Sequence, residues 1–195
     1  MKAVITALRR TRRRGLLSIV AVALVLALAA CGGSSSTKKV SAASYVKSVC
    51  TSATSWFHSI QTAGGQLQAT VHKSHSLPSL KKAYISFVED MLNATARAEQ
   101  QLRSAGTPSV KNGNKISAEV VHAFENARRG LQRAAAQVRE APTSSSSAFE
   151  SAAGGVQGTV QRALSSMAAL APQKNPQLHA AALKDPSCKR LRSIG

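Results

Sequence analysis

Acidic side chains are scarce in this chain. Of its 195 residues, 8 are Asp or Glu and 26 are Lys or Arg, so the formal net charge at pH 7 is +18. Catalysis by paired carboxylates needs acidic residues at close, defined spacings. The adjacent pair Glu89 and Asp90 does not fit, because the helical pattern around it turns Glu89 outward and places Asp90 at the flank. The composition therefore argues against carboxylate-based acid–base catalysis.

Aromatic residues and known catalytic signatures are also few or missing. Phe, Trp and Tyr make up 4% of the chain, which leaves few platforms on which nucleic-acid bases could stack. The sequence contains no Gly-x-Ser-x-Gly, no phosphate-binding glycine loop and no dinucleotide-binding fingerprint. We therefore expect no catalytic residues and no cofactor.

The apolar run at residues 16–30 is too short to cross a membrane as a stable helix. Fifteen helical residues extend roughly 22 Å, against a hydrocarbon core of about 30 Å. Arginines at positions 9, 10, 12, 13 and 14 precede the run, and small residues end it. A basic segment, an apolar segment and small residues in this order are typical of an export signal. We predict a cleaved signal peptide over residues 1–30.

The end of this run, Leu28-Ala29-Ala30-Cys31, resembles the lipobox of bacterial lipoproteins. The resemblance implies that the Cys31 thiol receives a diacylglyceryl group and that the chain is cut just before it. Two acyl chains hold a protein durably on a membrane, so it also implies attachment to the outer face of the cytoplasmic membrane. Residues 31–42 would then be the lipidated cysteine and a flexible tether. An ordinary signal peptide with a coincidental cysteine, or a short membrane helix, is the alternative.

The export route stays open at this point. Arg13-Arg14-Gly15-Leu16-Leu17 resembles a twin-arginine signal, whose substrates cross the membrane after folding. The same arginines fit the generic basic region of a general secretion signal. The sequence alone does not separate the two.

Removal of residues 1–30 would leave a strongly basic body. Twenty Lys or Arg and 8 Asp or Glu remain, a net charge of +12. For an exported chain with few aromatics, we expect a partner among anionic lipid headgroups, a wall polymer or another envelope protein, and not nucleic acid. The alternative is that the basic residues only solvate helix faces.

The other two cysteines, Cys50 and Cys188, lie near opposite ends of the predicted body. In an exported domain such a pair predicts a disulfide, with two free thiols as the alternative. Closing a loop of that length would stabilise the fold by about 4–5 kcal/mol in the chain-entropy model.

Apolar residues recur at spacings of three and four in four segments, separated by clusters of Pro, Gly and Ser. The segments cover residues 43–72, 78–104, 115–140 and 147–171. No stretch alternates with period two, so we predict an all-α fold. Short connections favour an up-down antiparallel four-helix bundle within a domain at 43–195, with a C-terminal tail that holds a short helix around 177–184.

Two histidine motifs are weak candidates for a metal site. Glu119 and His122 form one Glu-x-x-His unit, but a di-metal bundle site needs two such units and further glutamates, and both side chains lie off the apolar stripe. His72 and His75 lie in a turn without the further ligands that zinc requires. We therefore predict no metal site.

A candidate contact surface for a partner is formed by glycines 154, 155 and 158. The helical pattern puts them on the outward face of the fourth helix, where they would make a smooth strip suited to close approach by a partner, or a tolerated weak point.

The body as a whole resembles the small Ala-rich helical lipoproteins of high-GC actinobacteria, on the cysteine-bearing stretches 45–50 and 186–188. That family implies no activity. The expectation is a non-enzymatic binding or envelope-associated module. The alternative is a helical bundle that binds a small ligand or a metal and possesses enzyme activity.

Overall fold

The computed structural model describes residues 38–74, 76–168 and 175–194. Six helices and a short strand pair make up this part of the chain, and its all-α class is confirmed. In chain order the elements are β1 (Lys39–Val40), α1 (Ala42–Lys73), α2 (Leu77–Ser104), β2 (Thr107–Pro108), α3 (Gly113–Glu140), α4 (Ser146–Ala168), α5 (Pro176–Lys184) and α6 (Pro186–Ile194).

Local capping explains where several helices begin. The Ser41 and Ser76 hydroxyls accept hydrogen bonds from the amides of Ser44 and Ser79 at the starts of α1 and α2. Asn175 does the same for two amides at the start of α5. Short polar side chains at these positions satisfy amide groups that have no partner within the helix.

The four long helices pack mainly on their neighbours in sequence, α1 on α2, α2 on α3 and α3 on α4. Their apolar faces form the main core, to which α2 and α3 contribute most of the buried residues. Its most deeply buried side chains include Val88, Met91, Leu131, Val138 and Val156. Trp56 of α1 packs edge-on against Phe124 of α3, with ring centroids 5.6 Å apart.

A second core lies at the start of α1, where three distant segments of the chain meet. Its buried residues are Tyr45, Val46, Cys50, Leu178, Ala182 and Cys188. Val40, Val110 and Ile116 pack against them, so the connection between α2 and α3 also belongs to this core. The C-terminal helices α5 and α6 therefore cover the first turns of α1.

The two strands are parallel, with Lys39 beside Thr107 and Val40 beside Pro108. The amide of Thr107 donates to the carbonyl of Lys38 at 2.9 Å. Residues 38–41 thus pair with and cap elements of the body, although they lie within the segment 31–42 for which a flexible tether was predicted. The strand pair was not predicted because two residues are too few to show an alternating pattern.

The C-terminal tail holds two helices where one was predicted. Helix α5 matches the predicted helix at 177–184, whereas α6 was missed. Asp185 accepts from the amide of Ser187 at 2.8 Å and begins α6, and nine residues give too short an apolar pattern to predict it. None of the helices in the described part of the chain is long and apolar enough to cross a membrane.

Candidate functional site

The predicted disulfide is confirmed. Cys50 of α1 and Cys188 of α6 are bonded, with their Cα atoms 5.0 Å apart. Both residues are buried in the second core. The bond therefore joins the first long helix to the last short one and closes a loop through nearly the whole body. The predicted lipidation site, Cys31, and the predicted signal peptide lie outside the described residues.

Burial and hydrogen bonding change the acid–base behaviour of two groups at this end of the molecule. Burial raises the pKa of Tyr45, against a hydrogen bond to Ser117 that lowers it. The Ser187 hydroxyl, and then the amides of Ser187 and Cys188, hold the pKa of Asp185 below its ordinary value of 3.8, and Lys47 adds a smaller Coulombic contribution. Both groups keep their usual charge at neutral pH.

The Glu-x-x-His candidate on α3 does not form a ligand pair. Glu119 is exposed, and His122 lies with its Nδ1 2.7 Å from Glu125 Oε2. The hydrogen bond from His122 is the largest cause that lowers the pKa of Glu125, with further contributions from Arg103. Within the described residues, no group of three or more His, Cys, Asp or Glu side chains is placed to hold a metal ion.

Glu125 belongs to a charge network that joins α2 to α3. Arg103 pairs with both Glu125 and Glu99, and Arg128 donates to Glu99 at 2.9 Å. Glu99 thus has arginine partners on both helices, and Glu125 has an arginine partner on α2 and a hydrogen bond with His122 on its own helix. This network links α2 to α3 at the surface, and it leaves these carboxylates engaged with protein groups.

The other histidine candidate, the turn with His72 and His75, is described only in part. His72 is exposed in the last turn of α1. His75 lies outside the described residues.

One open cleft of about 450 Å³ lies between the second half of α1 and the first half of α2. Leu67, Ala83 and Phe87 contribute apolar surface, and Lys82 and Asp90 bring charges of opposite sign. Its volume lies within the range of about 300–1,000 Å³ that small-molecule sites occupy. It is large enough to be a candidate ligand site, and sequence analysis did not predict it. The spacing of apolar residues in the first helical segment showed only that its apolar face continues past Gly64 and Gly65.

A second cleft, of about 390 Å³, runs between α3 and α4. Gly130 of α3 and Gly155 of α4 line it, with Arg133 and Arg162 at its surface. The prediction that the α4 glycines form one outward strip is wrong for Gly155, since a Cβ there would lie 3.2 Å from Gln137 Oε1 of α3. The reason is that α4 presents this side to α3.

The buried polar residues of the described chain are all hydroxyl-bearing: Ser52, Thr95, Thr107, Thr159 and Ser187. The Trp56 Nε1–H donates to Thr95 Oγ1 at 3.0 Å, and that hydroxyl donates to the carbonyl of Met91 at 2.7 Å. Within the described part, no buried side-chain nitrogen or oxygen lacks a hydrogen-bond partner. Sequence analysis missed Thr95, which directly follows a buried alanine of α2, Ala94.

Comparison with known proteins adds no functional assignment: no protein-family model, no curated protein and no solved structure matches the chain.

Proposed function

We propose that this protein is a lipid-anchored module of the bacterial cell envelope, held by Cys31 on the outer face of the cytoplasmic membrane. The observation that carries the proposal is the Cys50–Cys188 disulfide. Stable disulfides occur mainly in proteins of oxidising compartments outside the cytosol. The pairing also uses two of the three cysteines of the chain, and the third is the one in the lipobox-like sequence.

The short stretch of chain between Cys31 and the folded body supports this proposal. The described body begins at Lys38, seven residues after Cys31, and seven extended residues reach at most about 25 Å. A body attached in this way stays near the bilayer. In its finer form the fold proposal is an up-down antiparallel bundle of α1 to α4, which the short connections 74–76 and 141–145 support.

A non-enzymatic binding role is the activity that the described surface supports best. The carboxylates of the α2–α3 network are paired with arginines, and the sequence has few others. Binding or association with an envelope component requires only an exposed surface, which a basic body provides.

The cleft between α1 and α2 supports a second candidate function, the binding of a small ligand. Its lining combines apolar side chains such as Leu67 and Phe87 with Lys82 and Asp90, which suits a molecule that has an apolar part and a polar or charged group. A Phe87→Ala variant that binds a fluorescent apolar probe as well as the parent protein does would contradict this candidate.

The anchor is tested by processing and fractionation in the producing bacterium. Globomycin blocks the lipoprotein signal peptidase, so the uncleaved lipidated precursor should accumulate. A Cys31→Ala variant should appear in the medium or remain as unlipidated precursor, while a Lys73→Ala control is processed like the parent. Unchanged processing and membrane retention in both treatments would rule out the anchor.

A further inference from the structure

The charges of the body are distributed unevenly along it. Three segments meet at the second core, namely residues 38–50, 105–117 and 175–192. Together they carry nine basic side chains and one acidic side chain, Asp185. The remaining described segments, 51–74, 76–104 and 118–168, carry ten basic and seven acidic side chains. We call the surface of the first three segments the basic end.

All nine cations of the basic end are exposed: Lys38, Lys39, Lys47, Lys111, Lys115, Lys184, Lys189, Arg190 and Arg192. In the described part of the chain the ion pairs lie elsewhere, along α2 and α3. The one carboxylate here, Asp185, accepts hydrogen bonds from Ser187 at the start of α6. The basic end therefore carries nine cations against one carboxylate, Asp185, which interacts with Lys47.

The fold holds the segments that carry these cations together. The disulfide fixes α6 on α1, and the side chain of Asn175 donates to the carbonyl of Lys111, which ties the start of α5 to the α2–α3 connection. Lys38 and Lys39 are held by the strand pair. Cations from three parts of the sequence are thus brought to the same end of the body, because their segments share a core.

An apolar side chain accompanies the charges. Leu183 of α5 is 52% exposed, the larger exposure of the two exposed large apolar residues in the described chain. It adjoins Lys184, and Lys189 and Arg190 follow on α6. Exposed apolar residues among Lys and Arg are typical of surfaces that lie in the interface of an anionic bilayer.

The described body begins at the basic end, since Lys38 is its first residue and lies seven residues after Cys31. We propose that the basic end docks on the anionic headgroups of the membrane to which the chain is anchored, and that it orients the body on that surface. The proposal rests on the proposed membrane anchorage. Each Lys or Arg near an anionic surface strengthens binding by roughly fivefold. Part of this set is therefore enough to hold the anchored body in one orientation against its thermal rotation.

Lysine footprinting on vesicles tests the proposal. The full chain, purified from membranes, is inserted into preformed vesicles of phosphatidylcholine alone or with phosphatidylglycerol, and treated with a membrane-impermeant amine-acetylating reagent. Mass spectrometry follows each lysine. On anionic vesicles, acetylation of Lys184 and Lys189 should slow by at least roughly fivefold relative to neutral vesicles, while Lys73 and Lys82 stay unchanged. Molar salt, with a Debye length of about 3 Å, should abolish the difference.

Two matched variants separate local charge from total charge. One replaces Lys184, Lys189, Arg190 and Arg192 by Gln, and the control replaces Lys73, Lys82, Arg97 and Arg133 by Gln. Each removes two lysines and two arginines that are exposed. Protection of Lys47 on anionic vesicles should be lost in the first variant and kept in the second. Equal behaviour of the two variants, or equal protection on neutral and anionic vesicles, would overturn the proposal.

A soluble polyanion gives a further decisive outcome. If soluble polyphosphate protects Lys184 and Lys189 on neutral vesicles while anionic vesicles do not, the basic end binds a polymer and the membrane proposal fails. The mass of the Cys31 peptide in the same samples reports the anchor separately. A bare Cys31 thiol with an intact footprint would contradict lipidation and leave the basic end standing. A lipidated Cys31 without a footprint would support the anchor and contradict docking by the basic end.

Discussion

At the scale of single residues, the least replaceable polar group of the main core is the Thr95 hydroxyl. It accepts from the Trp56 indole and donates to the Met91 carbonyl, and Thr95 is fully buried. A Thr95→Val variant keeps the shape but leaves the indole N–H without a partner. We expect it to lower the free energy of unfolding by about 1–3 kcal/mol, measured by urea denaturation. Thr95→Ser keeps the hydroxyl and is the control, and an equal or larger loss for Thr95→Ser would contradict this account.

Asp185 predicts a pH dependence at the residue scale. Its folded-state pKa lies below 3.8. The stabilisation that the ionised carboxylate gives by capping α6 is therefore complete above pH 3.8, and it is lost as the pH falls through the lower, folded-state pKa. An Asp185→Ala variant should be less stable than the parent by about 0.5–2 kcal/mol at neutral pH. The difference should shrink in acid.

Asn175 supplies the control, because it caps α5 with a side chain that does not titrate. The loss of stability in Asn175→Ala should change less with pH than that of Asp185→Ala. Parallel pH profiles of the two variants, measured by thermal unfolding in matched buffers, would show that the Asp185 charge has no part in the cap.

Several of these residue-scale features could be predicted from the sequence, and others could not. Trp56 and Phe124 fall on the apolar stripes of their helices, so their burial follows from periodicity. Thr95 does not, because a threonine beside the stripe is usually a surface residue. Only the opposing indole donor makes its burial favourable, and this partner lies 39 residues away in sequence.

At the scale of elements, the α2–α3 connection requires glycine at position 106, whereas α1 does not require the glycine at position 65. Gly106 has φ +81°, and a Cβ there would lie 2.4 Å from the Lys38 carbonyl oxygen. Gly65, within α1, has nothing within 4 Å of its Cβ position. A Gly106→Ala variant should therefore destabilise the protein. Gly65→Ala should stabilise it by about 0.5–1 kcal/mol, since Ala suits a helix interior better than Gly. Both changes in stability are measured by thermal unfolding. If both variants were stabilised, or both destabilised, the distinct roles given to the two glycines would be contradicted.

The disulfide is the strongest link between elements. Replacing both Cys50 and Cys188 by Ala should lower the free energy of unfolding by about 2–5 kcal/mol. The effect should also be local: amide hydrogen exchange should increase more in α5 and α6 than in α2 and α3. A uniform increase along the chain would mean that the bond stabilises the whole molecule rather than the second core.

The helices themselves were largely predictable, whereas their C-terminal packing was not. The segments 78–104 and 115–140 lie close to the bounds of α2 and α3, because each has an uninterrupted apolar stripe and clear flanking turns. Helix α6 and the strand pair are too short for such a pattern. Their positions depend on tertiary contacts with α1, such as the bond from Cys188, and the cysteine spacing alone indicated that some such contact exists.

At the scale of the whole molecule, the organising feature is the second core, where the disulfide lies and where the converging segments carry nine of the nineteen cations of the described residues. The sequence showed the net charge, but its concentration follows only from the fold, which brings residues 38–50, 105–117 and 175–192 together. The clefts between helices are likewise products of packing.

The anchor itself is the central claim, and mass spectrometry of the protein purified from its own membranes tests it most directly. The account predicts an N-terminal peptide that begins at Cys31 and carries the added mass of a diacylglyceryl group. A peptide that continues upstream of Cys31, or one that begins there with a free thiol, would contradict it.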